Sequence, residues 1–214
     1  MPSLLPPRPR NTLLFIVLFF SFCSLSAQKV DTIIKTGIYK SYFCYSLKEP
    51  LYVTYTLYKG GGGCDRDEQG FSFKKCGVQT ASDDDYSGSG FDKGHLANAE
   101  DFADDCDNEE KTFCYYNCVP QTIKLNRGIW KTWEEKVRVL SQTKRLFVIA
   151  GAVYGDKTMG PHNIGIPKSC YKIVLDKKTK EVIYCVLFPN NDSKKAKEIT
   201  LSELKKKLGY PLIP

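Results

Sequence analysis

Apolar and polar positions alternate along GIYKSYFCYSL (37–47) and PLYVTYTLY (50–58). With their β-branched and aromatic enrichment, this predicts two pairing strands, with Val53, Tyr55 and Leu57 on one face. The period then lengthens. In LNRGIWKTWEEKVRVL, Ile129, Trp133, Val137 and Leu140 recur at helical spacing, which predicts one helix over 125–140 with its stripe turned to a core. LFVIAGAVY (146–154) reads as a buried strand. SCYKIVLD and EVIYCVLF, joined by KKTK, read as a hairpin with Ile173 and Leu175 on one side. Near the end, Thr200 and Glu203 have capping-box spacing ahead of LKKKLG, and Gly209 and Pro211 punctuate the helix stop. The GGGG run at 60–63 lacks the lysine and hydroxyl of a phosphate-cradling loop, so a flexible linker is expected there. No internal repeat is visible.

The amino-terminal stretch has a different character. Arg8 and Arg10 precede the apolar run TLLFIVLFFSF, which ends in the small residues SLSA. The run is about 15 residues, short of the ~20 a membrane-crossing helix needs. Residues 1–27 therefore read as a signal peptide and 28–214 as a single domain, exported to the periplasm or outside the cell and held by no membrane after cleavage. Losing Arg8 and Arg10 takes the formal net charge from +7 to +5. The chain is 42% apolar and 26% charged, enough for one ordinary core and inconsistent with a disordered chain.

Of nine cysteines, Cys23 falls in the leader and eight remain. An exported chain with an even cysteine count is most simply a disulfide protein, although the sequence assigns no pairing. Cys114 and Cys118 have no second close pair, and His95 and His162 lie far from zinc-finger spacing, which argues against zinc. Charge is unevenly spread: residues 83–110 hold eleven acids and one lysine, whereas 168–214 hold eleven lysines and five acids. The acidic stretch reads as a solvated loop, and the lysine-rich tail as a soluble surface that can also help hold a polyanion.

With two histidines, a base that works near neutral pH has few candidates. His95, in SGSGFDKGHLANAED, has glycine turns and the opposite charges of Asp92 and Lys93 beside it; His162, in MGPHNIG, reads as structural. On a continuous helix Asn126 and Glu134 would project from one side, ~12 Å apart at 1.5 Å per residue. An amide and a carboxylate so placed can hold a hydrated cation, and Mg²⁺ suits one or two protein oxygens completed by water and phosphate. A plain amino-terminal helix cap is the competing role for Asn126, and the two are compatible.

DYSGSGFDKGHLANAEDF, NCVPQ, LNRGIW and WEE, in this order, resemble the signature of the DNA/RNA non-specific endonucleases, the ββα-metal group. The similarity continues through PLYVTYTL, IPKSCYKIVL, FPN and the last helix. It implies an α+β fold with a mixed or antiparallel sheet core and a ββα-metal motif, here disulfide-stabilised. It further implies that His95 is the general base, Asn126 the direct Mg²⁺ ligand (Mn²⁺ able to substitute), Asn117 a support of the metal-water network, and Glu134 the holder of a metal-bound water. Lys93 stands where the family usually has arginine, keeping the charge beside phosphate and losing the bidentate fork. Arg127 is a further phosphate candidate, and Arg66 or Lys74 is a candidate for the family's upstream arginine. The resemblance implies DNA and RNA as substrates, 5′-phosphate products and a homodimer. The alternative is a catalytically weak or inactive nucleic-acid-binding protein on the same scaffold. The enzyme reading requires the His95 imidazole and the Asn126 carboxamide to face one space, and implies that the rate falls in mild acid as His95 is protonated.

Overall fold

The computed structural model describes Met1 and residues 28–212, so most of the leader, with Cys23, lies outside the described residues. In chain order the elements are β1 (Thr32–Lys35), β2 (Tyr39–Cys44), β3 (Glu49–Leu57), α1 (Arg66–Gln69), α2 (Asp83–Tyr86), β4 (Phe91–His95), α3 (Cys106–Glu110), β5 (Cys118–Thr122), α4 (Lys131–Ser141), β6 (Leu146–Met159), β7 (Ile164–Asp176), β8 (Val182–Pro189), β9 (Lys197–Glu198) and α5 (Leu201–Lys207). The large sheet runs β1-β2-β3-β6-β7-β8-β9, and β4-β5 form a separate two-stranded ribbon. All these pairings are antiparallel. The α+β class expected from the sequence is observed, and the β4-β5 ribbon followed by the helical segment at 125–141 forms the ββα unit.

The predicted hairpins at β2-β3 and β7-β8 form, and the predicted faces are buried: Val53, Tyr55 and Leu57 lie in the core with Val148 and Ala150 of β6. Trp130 and Trp133 pack edge-on against β8, with Trp130 5.1 Å from the Phe188 ring and Trp133 5.3 Å from Tyr184. Trp130 is fully buried, so truncating it should cost ~3–5 kcal/mol. The capping box also forms: the Glu203 amide donates to Thr200 Oγ1 at 3.1 Å and the Thr200 amide to Glu203 Oε2 at 2.7 Å.

Two expectations are corrected, and the expectation of disulfides is made specific. The helix predicted over 125–140 is broken at Gly128, whose φ of −114° and ψ of −111° leave the helical region, so wide turns over Leu125–Trp130 precede α4. Glycine, the weakest helix former here apart from proline, marks the break. The glycine run is no flexible linker. The Gly60 amide donates to Ser141 Oγ at 3.1 Å, its carbonyl accepts from Gln142 Nε2 at 2.8 Å, and a Cβ on Gly62 would stand 2.0 Å from the Ala103 carbonyl oxygen. Finally, the described cysteines form two bridges, Cys64–Cys106 and Cys76–Cys114, while Cys44, Cys118, Cys170 and Cys185 are buried free thiols. Those four sit on core-facing positions, where cysteine behaves as a small apolar side chain.

Candidate active site

The residues singled out in the sequence gather around β4. Gly88 and Gly90, both at positive φ, turn the chain into the strand. Gly94 must be glycine because a Cβ there would lie 2.3 Å from the Gln121 side chain on β5. The side chains of Asp92 and Lys93 line an open cavity of about 530 Å³ together with Asp83, Tyr86, Phe91, Asn126 and Arg127.

Asp92 organises one wall. It accepts from Arg127 Nε and Nη2, both at 2.8 Å, and from Asn126 Nδ2 at 3.0 Å. The Arg127 fork, followed by the Asn126 amide, holds the Asp92 carboxyl below the usual carboxylate range. With Nδ2 committed to Asp92, the Asn126 oxygen is the end of the carboxamide left for a cation. On the other wall the Lys93 amine pairs with Asp83, which also accepts from the Tyr115 hydroxyl at 2.7 Å. The amine lies 5.6–6.0 Å from the rings of Phe73, Tyr86 and Tyr115. This box gives lysine some of the fixed direction that an arginine fork would carry in its own plane.

His95 is placed differently from the expectation. Its ring is not among the walls of this cavity. It packs 4.7 Å from Phe73 and 4.8 Å from Phe113, and Nε2 is buried without a hydrogen-bond partner. Desolvation, with a smaller contribution from the Arg66 charge, lowers its pKa to about 3. The Phe73 ring, which also borders Lys93, and the Phe113 ring pack against the imidazole, and the His95 residue as a whole stays partly exposed. Phe113 and the strand of chain behind Phe73 are tied together by the Cys76–Cys114 bridge and by Lys74 pairing with Cys114. Arg66, rather than Lys74, is the upstream cation felt at His95; Lys74 is engaged with Glu110 at 2.6 Å.

Glu134 and Asn117 do not reach the cavity either. Glu134, in α4, is buried and is not among the walls of the cavity. Asn98 bonds its carboxyl, Lys172 Nζ lies 3.9 Å from Oε1, and Oε1 itself has no hydrogen bond. Burial pushes its pKa up, and Lys172 opposes that rise. Asn117 is buried with its carboxamide spent on backbone: Oδ1 accepts from the Ala97 amide, and Nδ2 donates to the Ala97 and Thr112 carbonyls, all at 2.9 Å. It fixes the chain just beyond His95, whereas the resemblance had implied support of the metal-water network. His162 has its structural role, with Nδ1 2.9 Å from Asp85 Oδ2.

Part of the acidic stretch that looked unfavourable to a polyanion is paired internally. Asp83, Asp85 and Asp92 are engaged as described, and Asp101 is buried against Arg138 Nε at 3.1 Å and the Tyr55 hydroxyl at 3.0 Å. Among the described residues no group of three or more His, Cys, Asp or Glu side chains could cage a metal. What is present is a carboxamide oxygen in an open cavity and an orphaned buried carboxylate oxygen nearby in sequence, hard donors that suit a largely hydrated Mg²⁺.

The sequence reading had missed the Phe73 contact, the Asp92 bracket and Lys172. Lys172 had a signal: a single lysine set between apolar neighbours in SCYKIVLD.

The fold matches a crystal structure of the EndoG/EndoGI complex with a TM-score of 0.73 and 20% identity, covering 82% of each chain, a likeness of fold. An antiparallel sheet carrying a ββα unit with a DKGH strand thus defines the class. The chain matches the DNA/RNA non-specific endonuclease family over residues 24–210 and belongs to it. Among curated relatives, it is 32% identical over 145 residues to a nuclease of Nostoc sp., covering 60% of this chain and 52% of that one. It is 31% identical over 132 residues to nuclease C1 of Cunninghamella echinulata, covering 55% and 52%. To mitochondrial endonuclease G of Bos taurus it is 29% identical over 108 residues, covering 44% and 36%. The matched part of the chain thus spans about half the length of these relatives or less.

Proposed function

We propose that this protein is an exported, Mg²⁺-dependent endonuclease that hydrolyses phosphodiester bonds of both DNA and RNA and leaves 5′ phosphates. The observation that carries the reading is the β4 strand of this family's fold, on which His95, its Nε2 unpartnered, stands two residues from the Lys93 that lines one cavity with Asn126 and Arg127. Neutral His95 takes the proton of the attacking water, help typically worth ~10²–10⁴ in rate. Lys93 and Arg127 meet the phosphate by exchanging Asp83 and Asp92 for substrate oxygens, and Arg66 adds positive charge near the base. Asn126 would hold Mg²⁺, which supplies Lewis-acid polarisation of a phosphate oxygen when bound. Glu134 would receive a water of that ion. Because these residues address phosphate rather than base edges, sequence preference is slight.

The packing of Phe73 and Phe113 against His95 is the observation that favours the second reading, a nucleic-acid-binding protein without catalysis. Two disulfides support an oxidising compartment, and no helix among the described residues is long and apolar enough to cross a membrane. Purified protein incubated with plasmid and with RNA, with Mg²⁺ or with chelator, tests the proposal. Cleavage that needs Mg²⁺ and disappears in His95→Ala is expected; binding of either polymer with no such cleavage would overturn it.

A further inference from the structure

The large sheet has a second face, turned away from α4. Directly opposed residues of neighbouring strands share a face, and the residues next to them in each strand take the other. Tyr55, Val148, Val174 and Tyr184 are opposed in turn across β3, β6, β7 and β8, and Tyr184 meets Trp133 of α4. The rows Thr54, Ile149, Ile173 and Thr56, Phe147, Leu175 therefore lie on the opposite face. Both rows line a cleft of about 1090 Å³, to which α5 adds Leu201 and the segment after it Leu212. Phe147, Ile149, Leu175 and Leu212 are only partly buried, so the floor keeps apolar surface open to solvent.

The charge around this floor has one sign. Lys35, Lys40, Arg145, Lys177, Lys180 and Lys205 line the cleft, no aspartate or glutamate lines it, and none of the six is ion-paired among the described residues. The Lys177 amine lies 4.6 Å from the centre of the Phe147 ring, so one cation stands directly against the apolar floor. Neighbouring cations repel and exposed apolar surface is unfavourable in water; a ligand with an anionic head and an apolar tail relieves both. A second copy of this chain docked through the same face about a two-fold axis would set these cations against their own kind. A nucleic-acid backbone would meet the cations and leave the apolar floor unused.

We propose that this cleft binds a long-chain fatty acid, with the acyl chain on the Phe147, Ile149 and Leu175 floor and the carboxylate held by the rim cations, Lys177 foremost. The volume is of the order found for clefts that enclose small organic ligands, ~300–1,000 Å³. The floor lies across the sheet from α4, and the proposal does not depend on the endonuclease reading.

The test is calorimetric titration of sodium dodecanoate, kept below its micelle concentration, into the purified protein, with decanoate and 1-decanol as comparisons. One saturable site is expected. Shortening the acid by two methylenes should weaken binding on the order of tenfold, and exchanging decanoate for the uncharged 1-decanol should weaken it at least severalfold. Ile149→Asp, which puts a carboxylate on the floor, should abolish binding; if it does not fold, the rim variant Lys177→Glu/Lys205→Glu should still weaken dodecanoate severalfold. His95→Ala should bind dodecanoate as the parent does. Absence of a saturable site, equal affinity for acid and alcohol, or indifference to chain length would overturn the proposal. Binding to phosphatidylglycerol vesicles without binding of monomeric dodecanoate would do the same and make this face a membrane contact. Loss of DNA affinity in the rim variant with dodecanoate binding unchanged would also overturn it and make the rim a polyanion contact. A parent that binds dodecanoate and cleaves no nucleic acid removes the endonuclease reading alone, and the reverse result removes this one alone.

Discussion

At His95 the surroundings of the ring, more than the residue type, set its charge. A sequence motif suggests an imidazole near its ordinary pKa of ~6.5 and therefore a rate that drops in mild acid. Between Phe73 and Phe113 the protonated form is disfavoured, and the pKa falls to about 3. Because the neutral form is the base, a lowered pKa extends activity toward acid. kcat/KM, which reports the free enzyme, should show no inflection near 6.5; one there would mean that the ring is already uncovered without substrate. Phe73→Ala should uncover it, raising the rate of His95 modification by diethyl pyrocarbonate at least severalfold, and an unchanged rate would show that Phe73 is no cover. Asn126→Ala should abolish Mg²⁺-dependent cleavage more completely than Lys93→Ala, because Asn126 supplies a ligand oxygen, whereas Arg127 and Arg66 remain to share the work of Lys93. Equal residual rates would contradict that division.

At the scale of elements, the β4-β5 ribbon and the broken helix after it carry the site, and two disulfides staple the segments around them. Cys64–Cys106 and Cys76–Cys114 close loops with sequence separations of 42 and 38, for which a contribution of ~2–4 kcal/mol each is typical. Reductant should lower the melting temperature by several degrees. Alkylation of the unfolded, leader-free protein without reductant should label four cysteines, Cys44, Cys118, Cys170 and Cys185; labelling of none would show that these four are bridged as well. The even count could not reveal this, since a buried thiol on a strand and a bridged one look alike in a sequence. The Gly128 break was equally hidden. The apolar stripe through Trp133 and Val137 continues the period across it, and the period reports which face is buried without reporting whether the backbone is continuous.

For the molecule as a whole, the asymmetry of charge matters more than the net value. Several acids of 83–110 are consumed in pairs and caps inside the fold, as Asp85, Asp92, Asp101 and Asp105 show. The grip on phosphate rests on Arg66 and on Lys93 and Arg127, the last two once they exchange Asp83 and Asp92 for substrate oxygens. Three neutralised phosphates correspond to a log–log salt slope of roughly −2.7 for duplex DNA. Affinity measured against salt by fluorescence anisotropy should fall with about that slope, and a slope near zero would show that these cations do not hold the backbone.

Strand alternation, the helical stripe, the capping box and the order of the DYSGSGFDKGH, NCVPQ and LNRGIW blocks were legible along the chain, because each depends on neighbours within a few positions or on identity alone. Local spacing therefore determined the individual elements, while the identity and order of the motif residues carried the family resemblance and the fold class it implies. Which cysteines bond, that Phe73 lies over His95, that Asn117 is spent on backbone, and that Lys172 meets Glu134 under Trp130 were decided by packing between segments dozens of residues apart. Burial, partner and pKa belong to such contacts, and no linear pattern records them.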